Sequence, residues 1–273
     1  MVISKITSGL GNQMFQYALG KSISIKHNAI LKLDISAYDK FKPHNGYRLN
    51  AFNIDEHIAS RYEMRIFKIL SKLSIFTKKV RYKEKERTIY DKNVFNDSHI
   101  YLSGYWQNEK YFLDIKDILQ KKFMPKEEIS IHAKEYLKII QSTNSVSIHI
   151  RRGDYLKHPN LGVLGLHYYI SAVEYLSRKK EDLTFFIFSD DIEWCMENFE
   201  FLEKKVYVKH TKTDIDDMFL MRNCQHNIIA NSTFSWWAAW LNENNDKIII
   251  SPKTCMAENP NNYEWAPKPW IQL

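Results

Sequence analysis

Two adjacent arginines, a glycine and an aspartate stand where an alternating apolar run ends, in His149-Ile150-Arg151-Arg152-Gly153-Asp154-Tyr155. A guanidinium fork grips phosphate oxygens in pairs, and a neighbouring carboxylate locks the fork in position. A surface ion pair would use the same residue types, but in open α/β sheets ligands gather at strand ends. Arg151 and Arg152 are therefore candidate phosphate ligands. A second segment, Ala230-Asn231-Ser232-Thr233-Phe234-Ser235-Trp236-Trp237, runs from a strand into a helix that continues through Trp240. Helix N-termini present unpaired N–H groups and a positive dipole end, which suit a pyrophosphate; plain capping by Ser232 or Thr233 fits the same geometry. Asn231, Ser232, Thr233 and Ser235 join the candidates. The third segment, Phe188-Ser189-Asp190-Asp191, places paired carboxylates at another strand end. They can grip the N–H groups of a base or a ribose, or cap the next helix, and the pattern leaves both open.

The fourth segment is Ser8-Gly9-Leu10-Gly11-Asn12-Gln13-Met14. It begins as the G-x-G of a dinucleotide fingerprint and Asp34 follows about 25 residues on, but Met14 occupies the place of the third glycine. A tight turn offering backbone N–H groups and the amides of Asn12 and Gln13 fits equally well. Together the four segments describe a cleft built to hold a diphosphate, and no Walker motif accompanies them. Asp214-Ile215-Asp216 matches the short D-x-D pattern of metal-dependent sugar transferases, yet it opens a helix at 216–225, where capping accounts for it. The ten histidines lack zinc spacing, so no metal or other cofactor is expected.

The elements that position these residues alternate between short strands and helices, which predicts an α/β architecture with parallel sheets. Strands are expected at Val2–Thr7, Ile30–Asp34 and His99–Tyr105, with a helix carrying Met14, Phe15, Ala18 and Leu19 on one face. The scheme repeats with strands at Ser145–Ile150, Leu183–Phe188, Val206–Lys209, Asn227–Ala230 and Lys247–Ile250, and a helix marked by Leu166, Tyr169, Ile170, Val173 and Leu176. A polar stretch at Gln141–Asn144 divides the chain into Rossmann-like halves, 1–143 and 144–273, which would hold a ligand in the cleft between them.

At 273 residues and 44% hydrophobic content, the chain can bury one large core or two smaller ones. Cys195, Cys224 and Cys255 form no disulfide framework, which suits a reducing compartment. No apolar run reaches the ~18 residues of a membrane span and the start lacks a signal-peptide core, so a cytoplasmic protein is expected. The net charge of +7 is concentrated between Arg61 and Arg87, where Ile66, Ile69, Leu70 and Leu73 recur at helical spacing. Such a segment is either an ordinary helix with a basic face or a patch for anionic membrane near a lipid-linked acceptor. No DNA- or RNA-binding motif is present.

The motifs GLGNQMFQYA, GYWQNEKYF, HIRRGDY, FSDD and NSTFSWWAAWL occur in that order from about Ile3 to Pro252. In this the chain resembles the α-1,2-fucosyltransferase family, glycosyltransferase family 11. Ser8 stands where many members carry glycine. The resemblance implies a GT-B-like pair of Rossmann-like domains, with the acceptor on the N-terminal and the nucleotide on the C-terminal domain. It implies inverting, metal-independent transfer of L-fucose from GDP-β-L-fucose to the 2-hydroxyl of a galactose-ending glycan. Carried over by motif, Arg151 meets the β-phosphate, His149, Asp190 and Asp191 lie near guanine, and Tyr105, Trp106 and Gln107 meet the acceptor. Asp154 is a candidate base for the acceptor hydroxyl, or else the brace of an arginine. Two other classes remain: a nicotinamide-dependent oxidoreductase using Gly9–Gly11 and Asp34, and a non-catalytic glycan-binding protein.

Overall fold

Short runs of Val, Ile, Leu and Phe form the strands of two parallel sheets in the computed structural model, which describes residues 1–39, 46–73, 80–254 and 264–273. Lys78, Lys79 and Cys255, and the side chains of Lys68, Leu70, Lys72 and Leu73, lie outside the described residues. The chain divides into two compact units, Met1–Lys126 and Glu127–Leu273.

In the first unit, β1 (Val2–Lys5), β2 (Leu31–Asp34), β3 (Arg81–Lys83) and β4 (Ile100–Ser103) form a parallel sheet in the order β2-β1-β4-β3. Val2 pairs with Leu31 on one side and Ile100 on the other, so β1 is buried at the centre. Helix α1 (Leu10–Lys26) connects β1 to β2 and is buried around most of its circumference. It rides close to the sheet at Gly20, where a Cβ would meet Leu31 Cδ1 at 2.7 Å. Helix α2 (Arg61–Leu73) occupies the basic segment. Its inward residue is Phe67, which packs with Ile3 and Ala59 and stacks on His99 at 4.5 Å. Ile69 points outward instead, 57% exposed, because the sheet meets the helix along Met64 and Phe67. The strand expected over His99–Tyr105 ends at Ser103, for Trp106 adopts a left-handed φ of 59° that no strand accommodates. A short helix α3 (Lys116–Lys122) follows.

The second unit opens with α4 (Ile131–Ser142). The chain thus divides at 126/127, whereas the polar stretch pointed to 143/144. The reason is that α4 packs within this unit: the Tyr136 hydroxyl donates to the Tyr207 carbonyl (3.4 Å) and accepts from the Lys209 N–H (3.2 Å). Then follow β5 (Asn144–Ile150), α5 (Leu166–Ser177), β6 (Leu183–Ser189), α6 (Ile192–Asn198), β7 (Lys205–Tyr207), α7 (Asp214–Asn223), β8 (His226–Ile228), α8 (Thr233–Trp240), β9 (Ile249–Ser251) and β10 (Ile271–Gln272). The parallel sheet has the order β10-β9-β8-β5-β6-β7. Central β5 buries Val146, Ile148 and Ile150 against Tyr169, Leu176 and Ile187. Each such side chain contributes about 1.5–3 kcal/mol on burial. Below α8, Trp236, Trp237 and Trp240 pack edge-on and stacked, and the Trp236 indole N–H donates to the Trp265 carbonyl at 2.9 Å. Trp270 joins them, 5.5 Å from Trp236. Cys195 and Cys224 are buried free thiols; burial pushes Cys195 up to about 11.

Candidate functional site

Strands β5 and β6 pair from Asn144↔Leu183 to Ile150↔Ser189, so their carboxyl ends deliver the Arg151 and Asp190 segments side by side. Arg151 lies between two carboxylates, 2.8 Å from Asp154 Oδ1 and 3.0 Å from Asp190 Oδ2. Burial alone would lower the guanidinium's affinity for its proton; Asp190 and Asp154 overcome it, and the net shift is upward. Arg152 makes the parallel pair, its Nε 3.0 Å from Asp191 Oδ2, and its guanidinium lies 3.8 Å over the Trp194 ring. The Arg152 N–H also donates to Asp190 Oδ1 at 2.9 Å. Gly153 is required by this closeness: a Cβ there would meet Asp190 Oδ2 at 2.9 Å. The aspartate pair therefore braces the two arginines, and Asp191 additionally caps α6 through the Trp194 N–H (3.4 Å).

Beside them, β8 pairs with β5 and leads to the Asn231–Ser235 segment. Ser232 caps α8, accepting from the Phe234 N–H at 3.3 Å, and the Ser235 hydroxyl turns back to the Ser232 carbonyl. Thr233 is the helix's first residue and half-buried. Asn231 donates to the carbonyls of Leu161 and Gly162 at 2.8 and 2.9 Å, but its buried Oδ1 has no hydrogen-bond partner among the described residues. His149 is buried next to Phe234, ring centres 5.6 Å apart, and among the described residues its Nδ1 likewise has no partner. Burial first, and the Arg151 charge second, hold His149 down at about 3, so its ring is neutral. Unpaired buried polar atoms are rare in native proteins and call for an explanation such as a ligand. Tyr155 closes the loop by donating from its hydroxyl to the Asn231 carbonyl (3.2 Å). Trp194 did not stand out in the sequence, and Tyr155 did only as the last residue of the arginine segment; proximity to the arginines marks both.

The corresponding rim of the first unit is differently occupied. Gln13 is fully buried, donating from Nε2 to the carbonyls of Ser8 (2.9 Å) and Gly46 (2.8 Å) and accepting the Arg48 N–H (2.9 Å). Its amide holds a loop and is not free for a nucleotide sugar. Asn12 accepts from Gln107 Nε2 at 2.7 Å, which ties the first turn of α1 to the segment after β4. Asp34 accepts the Tyr101 hydroxyl (2.5 Å) and the Ser36 N–H (3.0 Å), and it is buried. The carboxylate that a nicotinamide dinucleotide would need for its ribose is thus engaged within the protein. Trp106 is buried and Tyr105 lies beneath the Arg87 guanidinium at 4.1 Å. Both of their N–H groups donate to Glu84, at 2.6 Å each, and burial lifts this carboxyl to about 7 against those bonds. Glu84 gave no signal in the sequence, hidden among the lysines and arginines of the basic segment. In the second unit, Asp216 of the D-x-D segment accepts the N–H groups of Ser130 (3.2 Å) and Lys212 (3.0 Å), while Thr213 caps the helix.

Two Rossmann-like α/β units, one ending in braced arginines beside a helix N-terminus, make a GT-B-like fold. The model of glycosyl transferase family 11 matches residues 2–272, and the chain belongs to that family. It is 38% identical to an α-1,2-colitosyltransferase of Escherichia coli, over 100% of this chain and 99% of the relative. It is 31% identical to the O-antigen biosynthesis glycosyltransferase WbnK of Escherichia coli, over 99% of both. With rat galactoside α-(1,2)-fucosyltransferase 1 it shares 28% identity across 53% of this chain and 42% of that one. Among solved structures, a mutant of Arabidopsis thaliana FUT1 in complex with GDP superposes with a TM-score of 0.53, covering 95% of this chain and 72% of that one at 10% identity. Fucosyltransferase NodZ from Bradyrhizobium gives 0.50, with 87% and 91% coverage at 11% identity. These likenesses show the fold.

Proposed function

We propose that the chain transfers L-fucose from GDP-β-L-fucose to the 2-hydroxyl of a terminal β-galactose, with inversion and without a metal ion. The observation that carries this reading is the Arg151 guanidinium, clasped between Asp154 and Asp190 at the end of β5. Breaking the bond between fucose C1 and the β-phosphate oxygen leaves an oxocarbenium-like sugar and gathers negative charge on the diphosphate. Arg151 has five N–H donors in a fixed fork, and the two carboxylates fix its plane while leaving donors for phosphate oxygens. A cation preorganised in this way lowers the barrier without reorganising as charge develops. The unpaired His149 Nδ1 and Asn231 Oδ1 are suited to polar groups of the nucleotide. The acceptor oxygen attacks C1 from the face opposite the diphosphate as the C1–phosphate oxygen bond breaks, and its proton passes to solvent water, so the β-linked donor yields an α-linked product. Asp154 serves here as a brace for Arg151, and its base role is not retained.

The first unit would bind the acceptor, with Tyr105, Trp106 and Gln107 in the segment after β4. The absence of a metal requirement is supported by Asp216, whose carboxylate is taken up by two backbone N–H groups. Among the described residues no helix is long and apolar enough to cross a membrane. We place the enzyme in the cytoplasm, held loosely at anionic membrane by α2, whose Tyr62, Arg65 and Ile69 are exposed. A second donor is favoured by the 38% identity to a colitosyltransferase: a nucleotide-linked colitose, the 3-deoxy counterpart of fucose. The test is transfer to lactose from GDP-fucose and from GDP-colitose in parallel. Preference for GDP-fucose supports the first reading, preference for GDP-colitose the second, and transfer from neither overturns both.

A further inference from the structure

A cavity of about 260 Å³ opens in the first unit, beyond the carboxyl ends of β3 and β4. That is the end of an open parallel sheet at which ligands bind. It is smaller than the ~300–1,000 Å³ of pockets for drug-sized molecules, and its size suits a single sugar ring. Its floor and walls are aromatic: Trp106 meets Tyr111 edge-on at 5.7 Å, Tyr82 lies 6.3 Å from Trp106, and half-buried Tyr90 lies 5.0 Å from Tyr111. Three carboxylates, Glu84, Glu86 and Asp91, and the ammonium of Lys85 line the same space. Glu84 accepts one backbone N–H on each oxygen, and an ionised carboxylate has lone pairs beyond those two. Asp91 accepts the Tyr82 hydroxyl at 2.5 Å.

The cavity is held open at some expense of backbone strain. Trp106 keeps its left-handed φ of 59°, a conformation rare for a bulky residue and concentrated at ligand sites. Gly104 must be glycine, because a Cβ there would lie 2.3 Å from Glu84 Cβ. A ring face with three carboxylates against one ammonium in one small space matches a neutral pyranose, whose C–H face stacks on an aromatic while its hydroxyls donate outward. The same groups match a phosphate poorly, because the three carboxylates outnumber the one cation, Lys85.

We propose that this cavity is a subsite for one neutral pyranose ring of the acceptor glycan, stacked on half-buried Tyr90 above the buried Trp106, with hydroxyls donated to Glu84 and Asp91. The proposal rests on the reading of the chain as a glycan-modifying transferase. Its test uses the full chain, with lactose as the probe. Tyr90→Ala removes a wall and Ile89→Trp, at an exposed position on the rim, fills the opening while leaving Glu84 in place. Both should raise the KM for lactose about tenfold while kcat and the Kd for GDP stay within twofold, the loss expected for one aromatic contact or more. Saturation-transfer NMR without donor should show lactose binding to the wild type and its loss in both variants. If both folded variants keep the wild-type KM, the subsite is overturned. If lactose binding depends on Tyr90 yet no sugar is transferred from either donor, the subsite stands and the transferase reading fails.

Discussion

The carboxyl ends of β1 and β2 in the first sheet and of β5 and β6 in the second both carry polar side chains and use them in opposite ways. In the first unit Gln13 and Asp34 make their bonds inward, to backbone groups and neighbouring side chains, and are buried. In the second, Arg151 and Arg152 stay partly exposed, bonded to carboxylates that orient them. Among the described residues, His149 and Asn231 keep buried polar atoms without partners. A glycine turn after a strand can therefore be scaffolding in one unit while an arginine loop at the equivalent place in the other is chemical equipment. What separates them is whether hydrogen-bonding capacity remains for a ligand.

The contrast breaks most readily at Arg151. Arg151→Ala should lower turnover ~10²–10³-fold, about 3–4 kcal/mol of transition-state stabilisation, with the fold kept by circular dichroism. Arg151→Lys should also be badly impaired, since it keeps the charge but loses the fork. A folded Arg151→Ala enzyme with near-normal kcat would remove the leaving-group role. The mirror experiment is Gln13→Ala, which strands two carbonyls and an N–H in the interior. It should destabilise the protein by about 2–3 kcal/mol in urea unfolding. Its Kd for GDP should stay within a few-fold; a large selective loss of GDP affinity would make Gln13 a ligand after all. A smaller effect is expected at the outward face of α2: co-sedimentation with anionic vesicles should be a few-fold greater at low salt than at 0.5 M. Absence of binding even at low salt sinks the membrane assignment. Smallest of all should be the response to excess EDTA, which is expected to leave turnover unchanged because arginines supply the positive charge. Activity lost to EDTA and restored by Mn²⁺ would reverse that expectation.

The sequence was most legible where local pattern and burial coincide. Val146, Ile148 and Ile150 alternate along a central strand, and β5 spans Asn144–Ile150, one residue beyond the expected Ser145–Ile150. Arg151 was readable for the same reason, since a charged loop after such a strand has few other uses. Edge elements hid: β3 is only Arg-Tyr-Lys, where the charges mask a buried Tyr82. With β3 hidden, Glu84 and the cavity beyond it were invisible, for they depend on a strained Trp106 that no periodicity encodes. The unit boundary was misplaced because a polar stretch marks a loop, while the partner of α4 is decided by long-range contacts such as Tyr136 with Tyr207. Asp190 and Asp191 were legible as residues with a purpose, but their bracing of the arginines depends on the β5–β6 register.

The tryptophans have an optical consequence. Six of the seven, Trp194, Trp236, Trp237, Trp240, Trp265 and Trp270, belong to the second unit, and the first holds Trp106 alone. Intrinsic fluorescence at equilibrium unfolding would therefore follow the second unit almost exclusively. Trp106, buried and beside Glu84, contributes a lone emitter at the wall of the cavity. Subtracting the spectrum of Trp106→Phe from that of the wild type would isolate it, giving the first unit a native reporter that needs no added dye.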